Sequence, residues 1–228
     1  MGTEIHPTAV VSSKAELGEN VTVGPFSIIE DQVRIADDTW IDAYVQIKDH
    51  TNIGRGNFIH SYACLGGIPQ DLKYKGEISS LEIGDGNRIR EYATLNRGSE
   101  EGGAVTRVGS SCLIMAYAHL AHDCLIGNGV IIANAVNLAG HVIIEDGAAL
   151  GGLCAVHQFV RIGRHAYIGG MTGVAQDVPP FMLIAGERGW MQGVNMIGLR
   201  RKGYTREQLT NLKKAYKLLW RSGLKKDE

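Results

Sequence analysis

The chain has 228 residues, which is enough for one large domain and a small appendage. Its formal net charge of −1 gives no reason to expect nucleic acid as a partner. No apolar run approaches the length of a membrane span, so membrane insertion is not expected either. The four cysteines lack zinc-type spacing, and three of them share one position of a repeat, so packing thiols in a reducing cytoplasmic environment are predicted. Thirty glycines against five prolines indicate a turn-rich repeat fold.

An aliphatic residue recurs every six positions from Ile5 to Leu65, from Ile83 to Leu95 and from Val108 to Val174. Period six fits neither an α-helix nor a simple strand, and an ordinary β-sandwich does not explain its regularity. It predicts a mainly β fold, a hexapeptide parallel β-helix with three hexads per coil. The first place of each hexad points inward, a small residue at the fifth place fills the interior, and Gly and Asn tolerate the turns.

The β-helix is predicted to span residues 1–180, with loops leaving the coils at 66–82 and 96–107. Binding residues tend to lie on such loops. The prolines in the stretch 177–180 are expected to end the hydrogen-bonded pairing of strands between coils. Residues 181–228 are predicted to form an irregular connection followed by a helix, which a Thr205–Gln208 capping box opens and Gly223 ends.

The repeat places the histidines of the stretch 113–127 in space. Hexads that begin at Leu120, Leu138 and Val156 are 18 residues apart and therefore lie on one side of the prism. That side carries a polar strip made of His122, His141, His157 and Gln158, which His119 precedes. Gly140 lies within the strip and is expected to leave room for a substrate.

His122 is the predicted general base of the strip. Asp123 follows it directly, and an imidazole beside a carboxylate is how proteins orient such a base. Solvated surface histidines are the first alternative, but four of the eight histidines fall in this one strip or beside it. A zinc site is the second alternative. Hexapeptide carbonic anhydrases bind zinc through three histidines at spacings that this sequence lacks, so no metal is expected.

Seven stretches along the chain carry a family resemblance: Pro69–Tyr74, Ile83–Glu91, Ala118–Cys124, Leu138–Val142, Ala155–Phe159, Gly173–Pro180 and Ala215–Lys217. They are similar to the UDP-N-acetylglucosamine 3-O-acyltransferases. The resemblance implies a left-handed β-helix and a homotrimer with active sites between subunits. It also implies transfer of a 3-hydroxyacyl group from acyl carrier protein to the 3-position of the sugar of UDP-GlcNAc, the first step of lipid A synthesis. No cofactor and no covalent intermediate are expected.

The same resemblance assigns roles to single residues. His122 is the general base, Asp123 supports its ring, and Gln158 contributes to transition-state stabilisation. The residues expected to bind substrate are Gln70, Asp71, Lys73, His119, His141, His157, Asn195 and Arg201. Gly170 stands where the family limits the acyl chain, and a glycine there favours a longer chain of about C14 because it leaves the groove open.

Three features depart from the family pattern. Ile197 stands where many relatives carry an acidic residue, the stretch 187–191 differs from theirs, and the C-terminal helical region is shorter. Two alternative functions therefore stay open. One is an N-acyltransferase acting on an amino UDP-sugar, and the other is a silent trimeric scaffold that only binds sugar nucleotide or carrier protein.

Overall fold

The computed structural model describes residues 2–223, in which short strands and the turns between them are wound into coils. In chain order the strands are β1 Glu4–Ile5, β2 Val10–Val11, β3 Glu16–Leu17, β4 Thr22–Val23, β5 Ile28–Ile29, β6 Arg34–Ile35, β7 Trp40–Ile41, β8 Gln46–Ile47, β9 Thr51–Ile53, β10 Phe58–Ile59, β11 Cys64–Gly67, β12 Ser80–Ile83, β13 Arg88–Ile89, β14 Thr94–Asn96, β15 Val105–Val108, β16 Leu113–Ile114, β17 His119–Leu120, β18 Leu125–Ile126, β19 Ile131–Ile132, β20 Asn137–Leu138, β21 Ile143–Ile144, β22 Ala149–Leu150, β23 Ala155–Val156, β24 Arg161–Ile162, β25 Tyr167–Ile168, β26 Gly173–Val174, β27 Met182–Ala185 and β28 Trp190–Val194. Within the described residues the helical elements are a 3₁₀ turn, Glu100–Gly102, and the helices α1 Met196–Arg201 and α2 Arg206–Arg221.

Parallel pairing between successive coils divides the strands into three flat faces. Face 1 begins β1-β4-β7 and has eleven strands, face 2 begins β2-β5-β8 and has nine, and face 3 runs from β3 to β24 with eight. Residues stacked in successive coils are 18 apart, as are Ser27 and Val45. The prism is a left-handed parallel β-helix with a short helical region, so the predicted fold class is confirmed.

The aliphatic first-place residues form the core of the prism. From Val23 to Val174 each of them is at most 4% exposed. Fifth-place residues share this interior, among them the thiols of Cys112, Cys124 and Cys154. The Cys154 thiol donates to the Gly169 carbonyl at 2.9 Å, and no disulfide forms within the described residues. These three cysteines therefore pack the interior, as the repeat predicts.

The fourth place of the hexads turns the corner with a left-handed backbone. Phe26, Asp123 and His141 have φ of 59°, 60° and 62°, so the turns are not reserved for Gly and Asn. The backbone N–H at this place donates to the third-place carbonyl one coil earlier, as His141 does to His122 at 3.0 Å. That hydrogen bond holds a conformation which a residue with a Cβ otherwise avoids.

Both loops leave the prism at the corner between faces 2 and 3, which we call corner 2–3. The first connects β11 to β12, and the second connects β14 to β15. The buried guanidinium of Arg97 joins their bases, because it donates to the Gly66 carbonyl at 2.9 Å and pairs with Asp49. The two loops are therefore neighbours.

Within residues 181–203 the chain forms two strands and a helix, so the predicted irregular connection is wrong. Strand β27 pairs in parallel with β25 and extends face 1, and β28 returns antiparallel beside it. In β27 every second residue, Met182 and Ile184, is buried in the core. This period of two is typical of a strand, but it does not continue the period of six on which the prediction was based. The domain division at residue 180 stays a prediction.

Helix α2 begins and ends as the sequence predicts. The Thr205 hydroxyl accepts from the Gln208 N–H at 3.2 Å, and the Gln208 side chain accepts from the Thr205 N–H at 2.8 Å. Leu209 is buried and anchors the helix to the core cluster. Among the described residues, neither helix is long and apolar enough to cross a membrane.

Candidate active site

The predicted strip lies on corner 2–3, directly after the strands of face 2. Strand β17 leads into His122 and Asp123, β20 leads into Gly140 and His141, and β23 leads into Gln158. The fold therefore stacks these residues in three successive coils, on the same corner from which both loops leave.

His122 and Asp123 form a buried hydrogen-bonded pair. The distance from His122 Nδ1 to Asp123 Oδ2 is 2.7 Å, and both residues are buried. A carboxylate only accepts, so Nδ1 carries the proton and Nε2 carries the lone pair. The lone pair that a general base needs is thus on the nitrogen that faces away from Asp123.

Asp123 is held from several directions. Its Oδ1 accepts from the Ser99 N–H at 2.8 Å, and its Oδ2 accepts from the Ser99 hydroxyl at 2.6 Å. Its own N–H donates to the Thr106 hydroxyl at 2.7 Å. The two bonds from Ser99 and the backbone bond to Thr106 fix the carboxylate in the position from which it accepts from the His122 ring.

Gly140 makes room for the His122 ring. A Cβ at residue 140 would lie 2.6 Å from His122 Nε2 and 2.5 Å from Cε1. The predicted role of Gly140, space for a substrate, is therefore corrected, since the imidazole itself occupies that space. The His141 ring is perpendicular to the His122 ring, with 5.1 Å between the ring centroids, and it stacks on Phe159 with a centroid distance of 4.5 Å.

The first loop brings Asp71 to the other side of the imidazole. Asp71 Oδ2 lies 3.9 Å from His122 Nε2, the nitrogen that carries the lone pair. Lys73 is exposed and pairs with Glu101 of the second loop at 2.9 Å, and this hydrogen bond raises the pKa of the Lys73 ammonium. Gln70 is exposed on the same loop. A cavity of about 390 Å³ separates the two loops, with Asp71, Lys73, Ser99 and Glu101 in its lining.

His119 and His157 lie beside the pair. His119 is on face 2, where its Nδ1 contacts the Thr94 hydroxyl at 2.7 Å, and burial lowers the pKa of its imidazole. His157 is exposed at the start of the turn that carries Gln158. Gln158 is exposed as well, so its amide is accessible to a bound molecule.

Asn195, Arg201 and Gly170 lie elsewhere on the prism. Asn195 caps α1 by accepting from the Gly198 N–H at 3.1 Å, and it donates to the His165 carbonyl, on the turn after face 3, at 3.0 Å. Arg201 is exposed at the end of α1. Gly170 is on the corner between faces 1 and 2, so a single chain does not bring these three residues to His122.

His122, Asp123 and His141 place donor atoms within 4.8 Å of one another, which is close enough for a metal ion. Asp123 Oδ2, however, is already hydrogen-bonded to the Ser99 hydroxyl and His122 Nδ1. We assign no metal to this cluster.

Ser99, Thr106 and Phe159 are site residues that sequence reasoning missed. Phe159 occupies the same hexad place as Asp123 and His141, so the repeat register could have identified it. Thr106 lies where the second loop rejoins the coils, and Ser99 lies within that loop. Thr106 stands at the fifth place of the register, 18 residues before Cys124 and two before Val108, so the repeat could have identified it as well. No periodicity fixes the position of Ser99.

The comparisons with known proteins agree with this architecture. The family model for bacterial hexapeptide transferases, with six repeats, matches residues 106–140, the part of the chain that contains the His122–Asp123 pair. The second-domain model of UDP-N-acetylglucosamine O-acyltransferase matches residues 177–228. The two models together make the chain an acyltransferase of the hexapeptide class.

Solved structures identify the family within this class. The chain is similar to the UDP-N-acetylglucosamine acyltransferase of Bacteroides fragilis, with 42% identity, coverage of 96% of this chain and 86% of that one, and a TM-score of 0.94. The Francisella novicida enzyme is 41% identical, with coverage of 98% of this chain and 82% of that one and a TM-score of 0.96. The Arabidopsis enzyme is 37% identical, with coverage of 97% of this chain and 84% of that one and a TM-score of 0.86. The chain belongs to the UDP-N-acetylglucosamine acyltransferase family.

Proposed function

We propose that this chain moves a 3-hydroxyacyl group from acyl carrier protein to the 3-hydroxyl of the sugar of UDP-GlcNAc, the first step of lipid A synthesis. The observation that carries the proposal is the buried His122–Asp123 pair, which places a basic nitrogen beside two loops on an open corner. Family membership supports the acceptor, and the resemblance supplies the donor.

In the proposed reaction, His122 Nε2 removes the proton of the sugar 3-hydroxyl as its oxygen attacks the thioester carbonyl. A C–O bond forms, and a tetrahedral oxyanion results. Its collapse breaks the C–S bond, and the departing pantetheine thiolate takes the proton back from the imidazolium. Asp123 keeps the ring oriented and stabilises its charged form.

The other polar groups of the corner would bind the substrates. The exposed Gln158 amide would donate to the oxyanion, and Asp71 would accept from the acyl 3-hydroxyl. A substrate phosphate would compete with Glu101 for Lys73. Gln70, His119, His141 and His157 would contact the sugar nucleotide.

We propose a homotrimer because the residues assigned to one reaction lie on different corners of the prism. A groove between two adjacent prisms brings the corner of one, with His122, against a different corner of its neighbour. Such a groove gives Gly170, Asn195 and Arg201 access to the substrates of a neighbouring chain. Sedimentation equilibrium is expected to give three times the 24.7 kDa chain mass, and a monomer would contradict the arrangement. A cytoplasmic location stays a prediction from the cysteine pattern.

A product assay tests the function. UDP-GlcNAc incubated with a mixture of 3-hydroxyacyl carrier proteins of graded chain length is expected to give the 3-O-acyl product, with long chains preferred because Gly170 carries no side chain. Mass spectrometry identifies the product. The 3-amino analogue of UDP-GlcNAc, supplied in parallel, separates O- from N-acylation, and binding without turnover for every donor would refute the enzyme.

A further inference from the structure

The Ser99 side chain is committed to Asp123. Ser99 is only 5% exposed, and both its N–H and its hydroxyl donate to the Asp123 carboxylate, at 2.8 and 2.6 Å. Ser99 also occupies the N-cap position of the 3₁₀ turn, where a serine hydroxyl ordinarily accepts from the backbone of the turn. The hydroxyl makes no such capping bond and is directed to Asp123 instead.

The backbone around Ser99 is fixed. Its carbonyl accepts from the N–H groups of Gly102 and Ala104, at 3.1 and 2.8 Å. Gly102 lies so close to the carboxylate that a Cβ there would overlap the Asp123 side chain. Arg97, two residues before Ser99, is buried and ties the loop to Asp49 and to the first loop. Ser99 therefore presents its two donors from a rigid support.

Ser99 and His122 converge on the same acceptor atom. Asp123 Oδ2 lies 2.6 Å from the Ser99 hydroxyl oxygen and 2.7 Å from His122 Nδ1. The direction of that oxygen sets the direction of the imidazole. Without the Ser99 hydroxyl the buried carboxylate loses one donor and one constraint on its rotation.

We propose, on the basis of the function proposed above, that Ser99 is a positioning residue for the reaction. It holds Asp123 so that the His122 ring keeps its Nε2 directed at the acceptor hydroxyl. The second loop is thus part of the catalytic apparatus, through a residue that does not touch substrate.

The test is a double-mutant cycle of Ser99→Ala with Asp123→Ala. Ser99→Ala is expected to lower kcat by about 10- to 100-fold, the usual loss when an outer hydrogen-bond partner of a functional site is removed. The KM for UDP-GlcNAc should not change, because no substrate contact is lost. In the Asp123→Ala background the same change is expected to have no further effect on kcat, since the hydroxyl has lost its acceptor. Alanine adopts the backbone conformation of residue 123, as Ala135 does at φ 55°.

Ser79→Ala is the matched control. Ser79 is also buried, but its hydroxyl has no hydrogen-bond partner among the described residues, so kcat should be unchanged. A Ser99→Ala protein with wild-type kcat would overturn the positioning role. An equal fold-decrease in kcat when Ser99→Ala is added to the wild type and to Asp123→Ala would overturn it too, because a purely structural effect is independent of Asp123.

Melting temperatures test the coupling between Ser99 and Asp123 without a measurement of turnover. Ser99→Ala is expected to lower the melting temperature of the wild-type chain and to leave that of Asp123→Ala unchanged; equal decreases in both would contradict the coupling. A wild-type chain without transfer to UDP-GlcNAc would refute the proposed function, and the melting cycle would still decide whether Ser99 acts through Asp123.

Discussion

Replacement of His122 with Ala is expected to lower kcat by about 10²- to 10⁴-fold, the range in which a general base contributes. The 3-hydroxyl of a sugar is a poor nucleophile, and His122 is the imidazole that Asp123 orients at 2.7 Å beside the loops. The steady-state rate of ester formation from acyl carrier protein and UDP-GlcNAc measures the loss. The variant also removes one buried hydrogen bond of Asp123, so a modest fall in melting temperature is expected. The proposed trimer should persist, because the ring lies at a corner and outside the aliphatic core.

His50→Ala is a matched control for this variant. His50 also lies on corner 2–3, beside an aspartate, with Nε2 3.9 Å from Asp49 Oδ2. His50 lies on the turn after β8, which is three coils before the turn after β17 that carries His122. Its replacement should leave kcat at the wild-type value. Full activity of His122→Ala, or equal losses in both variants, would contradict the assignment of the base.

Gly140→Ala is expected to lower kcat by about 10²-fold, because a misplacement of the order of 1 Å in a reacting group has that effect. The added methyl group would lie 2.5 Å from His122 Cε1, so the ring must move or lose its hydrogen bond to Asp123. Residue 140 is not among the glycines with positive φ, and alanine therefore fits its backbone. The predicted signature is a reduced kcat with a KM for UDP-GlcNAc close to that of the wild type.

The His122→Ala background tests the stated cause. With the imidazole gone, the alanine methyl group enters vacated space, so adding Gly140→Ala should not lower the residual rate further. An additional 10²-fold loss in the double variant would show that Gly140 acts on something other than His122. Normal kcat in the single variant would show that the ring adjusts freely.

The fold could be predicted from the sequence because each hexad repeats one local rule. An aliphatic first place and a small fifth place define the interior, and the 18-residue coil then aligns His122, His141 and Gln158 without further information. The same register also contains Phe159, whose stacking on His141 follows from its fourth place in the next coil.

Contacts made by the loops could not be predicted in this way. Ser99 reaches Asp123 because a non-repeating segment folds back on the corner, and Lys73 pairs with Glu101 of the other loop. Periodicity carries no information about such contacts. Gly140 shows a second limit: the pattern located an open position, but only the side-chain geometry shows that His122 fills it.

The coiled topology also bears on how the chain folds. Residues paired between coils are 18 apart in the sequence. Across the first loop this separation rises to 30, as for Asn57 with Asn87, and across the second loop to 25, as for Asn87 with Cys112. By the logarithmic law of loop closure, the longer of these separations costs about 0.5 kcal/mol more than an uninterrupted coil. Each coil needs only its neighbour, so the search distance does not grow with chain length and assembly proceeds by propagation. The segments that carry the chemistry therefore extend the chain with little effect on the speed or cooperativity of folding.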